Sequence, residues 1–327
     1  MANKIFSGIR PSGKLHLGNY LGAIKNWISL QEDPLTERAI YAVVDYHGIT
    51  SPFDTKTYGG QIMDAILDYL AVGVDPEKSL LIRQSRIPQH TELAWIFNTI
   101  TPVSWLDRLP TYREKLEQSP RYNHMGLLDY PVLMAADILV YKANMVPVGE
   151  DQLAHIDLAN EIAKKFNHMF GETFPAVKAR LTEGARIMSL QDPAKKMSKT
   201  GDESIALSDG PDVVISKIKK ATTDSGKEII FDAEKKPAIS NLLTIFSSLS
   251  GQDIKEIEKD FESKNYVEFK NALAELIVNF LKPIREKREK LAKDLGYVRQ
   301  ILESSEKKAA ALATVTLNEV KEKIGTL

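Results

Sequence analysis

Apolar positions along the first 190 or so residues follow two alternating rhythms. Short continuous runs at Lys4–Ile9, Ala39–Asp45, Ser79–Arg83 and Asn144–Val148 read as strands, the second of the buried parallel kind. Between them lie stretches with helical spacing. Tyr20–Leu30 puts Leu21, Ile24, Trp27 and Ile28 on one face. Ile62, Ala65, Ile66 and Tyr69 mark a second helix, Leu93, Ile96, Phe97 and Ile100 a third, and Gln152–Phe166 a further one. This alternation predicts an α/β fold with a doubly wound parallel sheet. In such sheets ligands bind beyond the carboxyl ends of the strands. Arg10-Pro11-Ser12, Asp45-Tyr46-His47 and Gly149-Glu150-Asp151 all fall at such ends.

Residues 101–127 break the rhythm with Pro102, Pro110, Pro120 and Gly126, and read as a connecting insertion before a helix over Tyr130–Tyr141. After Thr200 the pattern is purely helical. Gly210-Pro211 opens one helix, Pro237 another, and Ile254–Phe261 forms a third. Val267–Lys323 reads as long amphipathic helices interrupted at Pro283. The expected organisation is an α/β domain over residues 1–200 and an all-helical domain over 201–327.

Composition narrows the class. The 327 residues, 43% hydrophobic and 27% charged, fit a globular chain with an ample core. No apolar run approaches the ~18 residues of a membrane span. The N-terminus enters a strand without a signal-peptide pattern. With no cysteine, disulfides, thiolate zinc sites and cysteine nucleophiles are excluded, and a cytoplasmic location is expected. The net charge of −1 means that any surface for nucleic acid is local rather than global.

Two segments carry candidate chemistry. Pro11-Ser12-Gly13-Lys14-Leu15-His16-Leu17-Gly18-Asn19 joins the first strand to the first helix. Small residues there let backbone approach a polyphosphate, and the helix N-terminus offers N–H donors to negative charge. His16 adds a side-chain donor. A tight turn with incidental polar residues is the plainer account. Lys196-Met197-Ser198-Lys199-Thr200 supplies two ammonium groups and two hydroxyls, suited to a loop closing over phosphates. Alone, it is also a solvated basic loop. Asp151 and His155 share a helix face, either as an ordinary cap or as hydrogen-bonding partners of a ribose or an α-ammonium group.

Asp137 is the most telling single residue. It shares its helix face with Leu133, Met134, Val140 and Tyr141. A carboxylate there is costly unless it is hydrogen-bonded, to a structural partner or to a polar N–H of a flat apolar ligand. His90, His124 and His168 give no comparable signal and read as surface or structural.

The segments Phe6-Ser7-Gly8-Ile9, Pro11–Ala23, Tyr130-Pro131 through Asp137, Val148–Gln152 and Arg186–Leu190 through Thr200 occur in one order. In that order they resemble the HIGH and KMSKS signatures and intervening motifs of the bacterial tryptophanyl-tRNA synthetases, members of class I. The likeness spans about residues 4–200 and continues more weakly through Thr223-Asp224-Ser225 and Pro237–Leu243. Asn19 stands where the first signature ends in histidine elsewhere, Thr200 replaces a serine, and Arg10 stands where the family often has glutamine.

This resemblance implies a Rossmann-like catalytic domain, a helical domain meeting the tRNA anticodon, and a homodimer formed partly through residues 101–141. Asp137 would accept the indole N–H, Phe6 and Met134 would sandwich the ring, and Tyr130, His47 and Gln152 would stand near the amino and carboxylate groups. Arg10, Pro11, Ser12, Gly18, Asn19, Gly149, Glu150, Asp151, Ile187, Lys196, Met197, Ser198, Lys199 and Thr200 would hold ATP. Its Mg2+ would ride on the phosphates, with no metal bound by the protein itself. Lys196, Lys199, Ser198 and His16 would act in catalysis. The implied partners are L-tryptophan, ATP and tRNA(Trp), with no DNA and no membrane. A tyrosine-specific enzyme of the same fold, a non-catalytic RNA-binding paralogue and an adenylating enzyme that uses no tRNA are the rivals.

Overall fold

The computed structural model describes residues 2–110, 112–113, 117, 123–181, 186–198 and 203–327. β1 (Asn3–Ile9), β2 (Thr36–Val43), β3 (Leu80–Arg83), β4 (Met145–Val148) and β5 (Lys178–Leu181) form a sheet in the order β3-β2-β1-β4-β5. Every neighbouring pair is parallel. The order reverses between β1 and β4, which leaves a crevice at their carboxyl ends.

Alternate residues of the strands feed two cores. Ala39, Tyr41 and Val43 of β2 join one buried cluster, while Ile40 and Ala42 join the other. Burial on both faces is why β2 reads as an unbroken apolar run. The first cluster takes in α1 (Leu17–Asn19), a π-helical turn (Tyr20–Ile24), α2 (Lys25–Gln31) and, beyond the one-turn α3 (Asp45–Gly48), α4 (Tyr58–Val72). Within it Trp27 stacks on Tyr41 at 4.7 Å. The second cluster takes in α5 (Gln89–Asn98), α6 (Val103–Asp107), α7 (Met125–Leu139) and α8 (Leu153–Phe170).

The later helices are α9 (Pro211–Lys220), α10 (Pro237–Ser250), α11 (Ile254–Asp260), α12 (Tyr266–Lys293) and α13 (Leu295–Lys323). They pack onto the sheet's own clusters. Val298 and Leu302 of α13 belong to the first, and Ala309, Ala313, Leu317 and Val320 to the second. The helix therefore crosses the outer edge of β3. Its Glu306 accepts from the Arg83 backbone N–H at 3.2 Å and from the guanidinium at 2.7 and 2.9 Å, so an edge strand is covered rather than exposed. β5, at the opposite edge, is guarded by exposed Lys178.

Two features differ from the sequence expectation. The long C-terminal helices are interrupted at Asp294 and not at Pro283, which lies inside α12. The buried stripe Phe269, Leu273, Ile277, Leu281 and Ile284 runs straight across the proline, and this packing outweighs the ~3 kcal/mol a helix-interior proline costs. α7 starts at Met125, ahead of the expected Tyr130, because the His124 side chain accepts from the Leu127 N–H and caps it. Among the described residues no helix is long and apolar enough to cross a membrane.

The close seat of α13 on β3 yields a stability test. Ala309 is fully buried, whereas Ala311 on the same helix is exposed. Ala309→Leu is expected to lower unfolding free energy by about 1–3 kcal/mol through overpacking, while Ala311→Leu stays within about 0.5 kcal/mol. Urea unfolding of both variants checks this, and equal effects would contradict the seating of the helix.

Candidate active site

At the carboxyl ends of β1 and β4 lies a cavity of about 790 Å³. Phe6 and Arg10 reach it from β1 and its end, His16, Gly18 and Asn19 from the turn into α1, and His47 from α3. Tyr130, Met134 and Asp137 line it from α7, and Gly149, Glu150, Asp151 and Gln152 from the end of β4. Ile187, Lys196 and Met197 close it from the later loop. Pro11, Ser12 and Ser198 do not line the cavity, and Lys199 and Thr200 lie outside the described residues. All the other sequence-predicted site residues meet in one place.

At the amino-acid end, Asp137 is 1% exposed. Its carboxylate is ringed by donors: Gln84 Nε2 at 2.8 and 2.9 Å, His47 Nε2 at 2.7 Å and His90 Nδ1 at 2.6 Å. Burial alone would raise its pKa. The hydrogen bonds and charges of His47 and His90 outweigh that and hold the carboxyl down at about 2. Phe6 stacks on Tyr141 at 5.8 Å, forming an apolar wall beside this acceptor. Tyr130 Oη lies 3.0 Å from His155 Nε2, and the Tyr130 ring meets His47 edge-on.

The end formed by the turn into α1 and the later loop is more open. Gly13 takes a φ of 74°, a left-handed value that the turn after β1 requires of a glycine. His16 caps α1: its Nδ1 accepts from the Asn19 N–H at 3.3 Å, and the Asn19 side chain accepts from the His16 N–H at 3.2 Å. With Nδ1 accepting, the neutral imidazole carries its proton on Nε2 and keeps a donor. A Cβ on Gly18 would lie 3.0 Å from that imidazole and 3.4 Å from Met197, so the glycine lets the two signatures touch.

Backbone bonds also join the first signature to the segment just after the second. Leu17 N–H donates to Ile205 and Leu207 N–H to Leu15, at 2.9 and 2.8 Å. The later loop begins as a small hairpin, in which Met188 bridges Lys196 and Ser189 N–H donates to Lys195. Asn241 of α10 clamps both backbone groups of Met188, at 2.8 and 3.0 Å. Lys196 Nζ stands 3.8 Å from the Asp151 carboxylate across the cavity mouth. Burial opposes ionisation of Asp151, but the Gln152 hydrogen bond and the Lys196 charge shift its pKa net downward.

Sequence reasoning missed several contributors. His90 is fully buried and bonded to Asp137, neither at the surface nor silent. It sits on the face of α5 that carries Leu93, Ala94 and Phe97, so the test that isolates Asp137, a polar group on an apolar stripe, would have found it. Gln84, at the end of the apolar β3 run, was likewise unmarked, while His155, expected on one helix face with Asp151, is buried. Of the other two histidines, His124 caps α7 and His168 is exposed.

Residues 1–282 match the family model for class I tRNA synthetases of the tryptophan and tyrosine kinds. The tryptophan–tRNA ligase of Rickettsia conorii is 43% identical over 330 residues, covering 99% of each chain. A crystal structure of tryptophanyl-tRNA synthetase from Mycoplasma pneumoniae superposes with a TM-score of 0.87 at 34% identity, covering 99% of this chain and 98% of that one. The Campylobacter jejuni tryptophanyl-tRNA synthetase, crystallised with ADP and tryptophan, gives 0.85 at 33% identity over 98% and 99%.

The electrostatics of Asp137 set a pH test. Its folded-state pKa lies below the ordinary 3.8, so its ionised form adds stability that is complete above about pH 4 and fades as pH falls toward 2. The gap in unfolding free energy between the natural protein and Asp137→Asn is expected to narrow by about 2 kcal/mol from pH 5 to pH 2. Urea titrations at both pH values check this; a gap that does not move would contradict the assignment.

Proposed function

This chain belongs to the class I tRNA synthetases for tryptophan and tyrosine, and we infer that it is a tryptophan–tRNA ligase. The observation that carries tryptophan over tyrosine is Asp137, an ionised carboxylate at the apolar end of the cavity. An indole presents one N–H in a large flat apolar body, and a buried acceptor beside Phe6 and Met134 suits that pair of features.

The reaction runs in two steps. A carboxylate oxygen of tryptophan attacks the α-phosphorus of ATP, and the bond to the β-phosphate breaks as pyrophosphate leaves. A ribose hydroxyl of the 3′-terminal adenosine of tRNA(Trp) then attacks the carbonyl carbon of the adenylate, and AMP departs. Positioning and charge stabilisation do most of the work. His16, the backbone around Gly18 and Gly149, and Lys196 would meet the nucleotide, with Tyr130, His47 and Gln152 near the polar end of the amino acid. Negative charge builds on the departing pyrophosphate, so Lys196 and Lys199 would strengthen their hold in the transition state. Ser198 and Thr200 would place hydroxyls beside them.

Mg2+ would arrive with ATP and screen the phosphates. Its ligands would be phosphate oxygens and water. The helices from α9 onward would offer the tRNA its anticodon surface. A homodimer through the 101–141 region is supported by exposed Val103 and Met125, and sedimentation at micromolar protein is expected to give twice the chain mass.

Amino-acid-dependent pyrophosphate exchange across the twenty amino acids tests the reading. Tryptophan is expected to support the fastest exchange, and faster exchange with tyrosine would overturn the assignment. Asp137→Ala should lower kcat/KM for tryptophan by roughly 100-fold or more. Lys196→Ala should lower kcat by roughly 100-fold with little change in the KM for tryptophan. Charging of tRNA transcripts then separates a ligase from an enzyme that stops at the adenylate.

A further inference from the structure

We propose that His90, which does not line the cavity, is a positioning residue that keeps one oxygen of Asp137 aimed at the substrate as an acceptor. The inference rests on Asp137 being the acceptor for the indole N–H. Its content is new: selectivity for tryptophan depends on a histidine behind the acceptor.

The hydrogen-bond arrangement leads there. Each carboxylate oxygen accepts about two hydrogen bonds. Oδ1 takes His90 Nδ1 at 2.6 Å and Gln84 Nε2 at 2.8 Å, and both donors are fully buried. Oδ2 takes Gln84 Nε2 at 2.9 Å and His47 Nε2 at 2.7 Å. Of these three donors only His47 lines the cavity. Oδ1 is therefore clamped from behind, while Oδ2 shares the Gln84 nitrogen with Oδ1 and meets the cavity beside His47, so an indole N–H would reach Oδ2 as the Gln84 nitrogen settles on Oδ1.

The clamp is itself fixed. His90 Nε2 lies 2.7 Å from the Tyr141 hydroxyl, whose pKa burial and the Asp137 charge push well above 10. An ionised carboxylate can only accept, so His90 carries a hydrogen on Nδ1, facing Asp137, and its Nε2 is engaged by the Tyr141 hydroxyl. Gln84 Oε1 accepts the backbone N–H groups of Tyr46 and His47, at 3.0 and 3.4 Å, which holds its amide nitrogen toward Asp137. Without the His90 donor, burial favours the protonated carboxyl, and an O–H would then confront the indole N–H.

Two amide variants test this. The side-chain nitrogen of asparagine superposes on imidazole Nδ1, and that of glutamine on Nε2. His90→Asn therefore keeps the donor to Asp137, while His90→Gln keeps only the contact toward Tyr141. Pyrophosphate exchange is measured with tryptophan and with β-(3-benzothienyl)alanine, which has sulfur in place of the indole N–H. The KM for ATP and the thermal midpoint are recorded alongside. The natural protein should prefer tryptophan by roughly 100-fold or more, His90→Asn should keep that ratio within about threefold, and His90→Gln should lose at least about tenfold of it. The KM for ATP should stay unchanged in both. A His90→Gln variant with the natural ratio, or equal losses in both variants, overturns the proposal. A natural protein with no preference between the two amino acids overturns the acceptor reading of Asp137 itself, a separate result.

Discussion

A charge buried in an apolar layer is the constraint around which this molecule is organised. Asp137 sits on a helix whose other inward residues are aliphatic, and its ionised form survives there only with hydrogen-bond donors on both oxygens. The donors come from α3 after β2, from the turn after β3 and from α5. Satisfying one carboxylate therefore ties together two strand ends and two helices. The alternative of leaving it unpaired costs several kcal/mol, a large share of the stability of any domain. In the proposed function the same carboxylate is the recognition group, so fold and specificity would draw on one set of bonds.

A second tie joins segments far apart in the chain. The first signature follows β1 and the second lies beyond β5, yet Leu15 and Leu17 of the first pair with Ile205 and Leu207, just after the second. Asn241 then anchors the hairpin leading into the second signature to α10. A helix outside the α/β sheet thus sets the position of the loop that would meet ATP in the proposed function. Because α9 to α13 share the sheet's buried clusters, a disturbance in those helices has a packed route to the cavity.

Which parts of this were legible in the sequence follows from burial and length. β1 to β4 are readable because both faces of the sheet are covered, which forces continuous apolar runs. β5 is not, since Lys178-Ala179-Arg180-Leu181 is a four-residue edge whose side chains largely meet solvent. Pro283 misled because the rule for helix-interior prolines is local, while the stripe that overrides it is tertiary. Asp137 was legible as a polar intruder on an apolar face. Its donors were less so: His47 came through the family resemblance, and His90 and Gln84 went unmarked until a shared partner identified them. Sequence shows a buried group's problem sooner than it shows the solution.

The two ends of the cavity are built to different specifications, and the difference has a kinetic sense. Around the amino-acid ring the groups are locked: Asp137, His90 and Gln84 are each at most 1% exposed and mutually bonded. At the end where ATP would lie in the proposed function, the cations Arg10 and Lys196 are exposed. A recognition group gains by rigidity, since a preformed acceptor rejects ligands that lack the matching donor. Charges meant for a departing pyrophosphate gain by the opposite arrangement. If they gripped ATP fully before reaction, they would lower the ground state as much as the transition state and leave kcat unchanged. Solvated side chains at the mouth, on a loop hinged to α10, can reserve part of their interaction for the moment when charge develops.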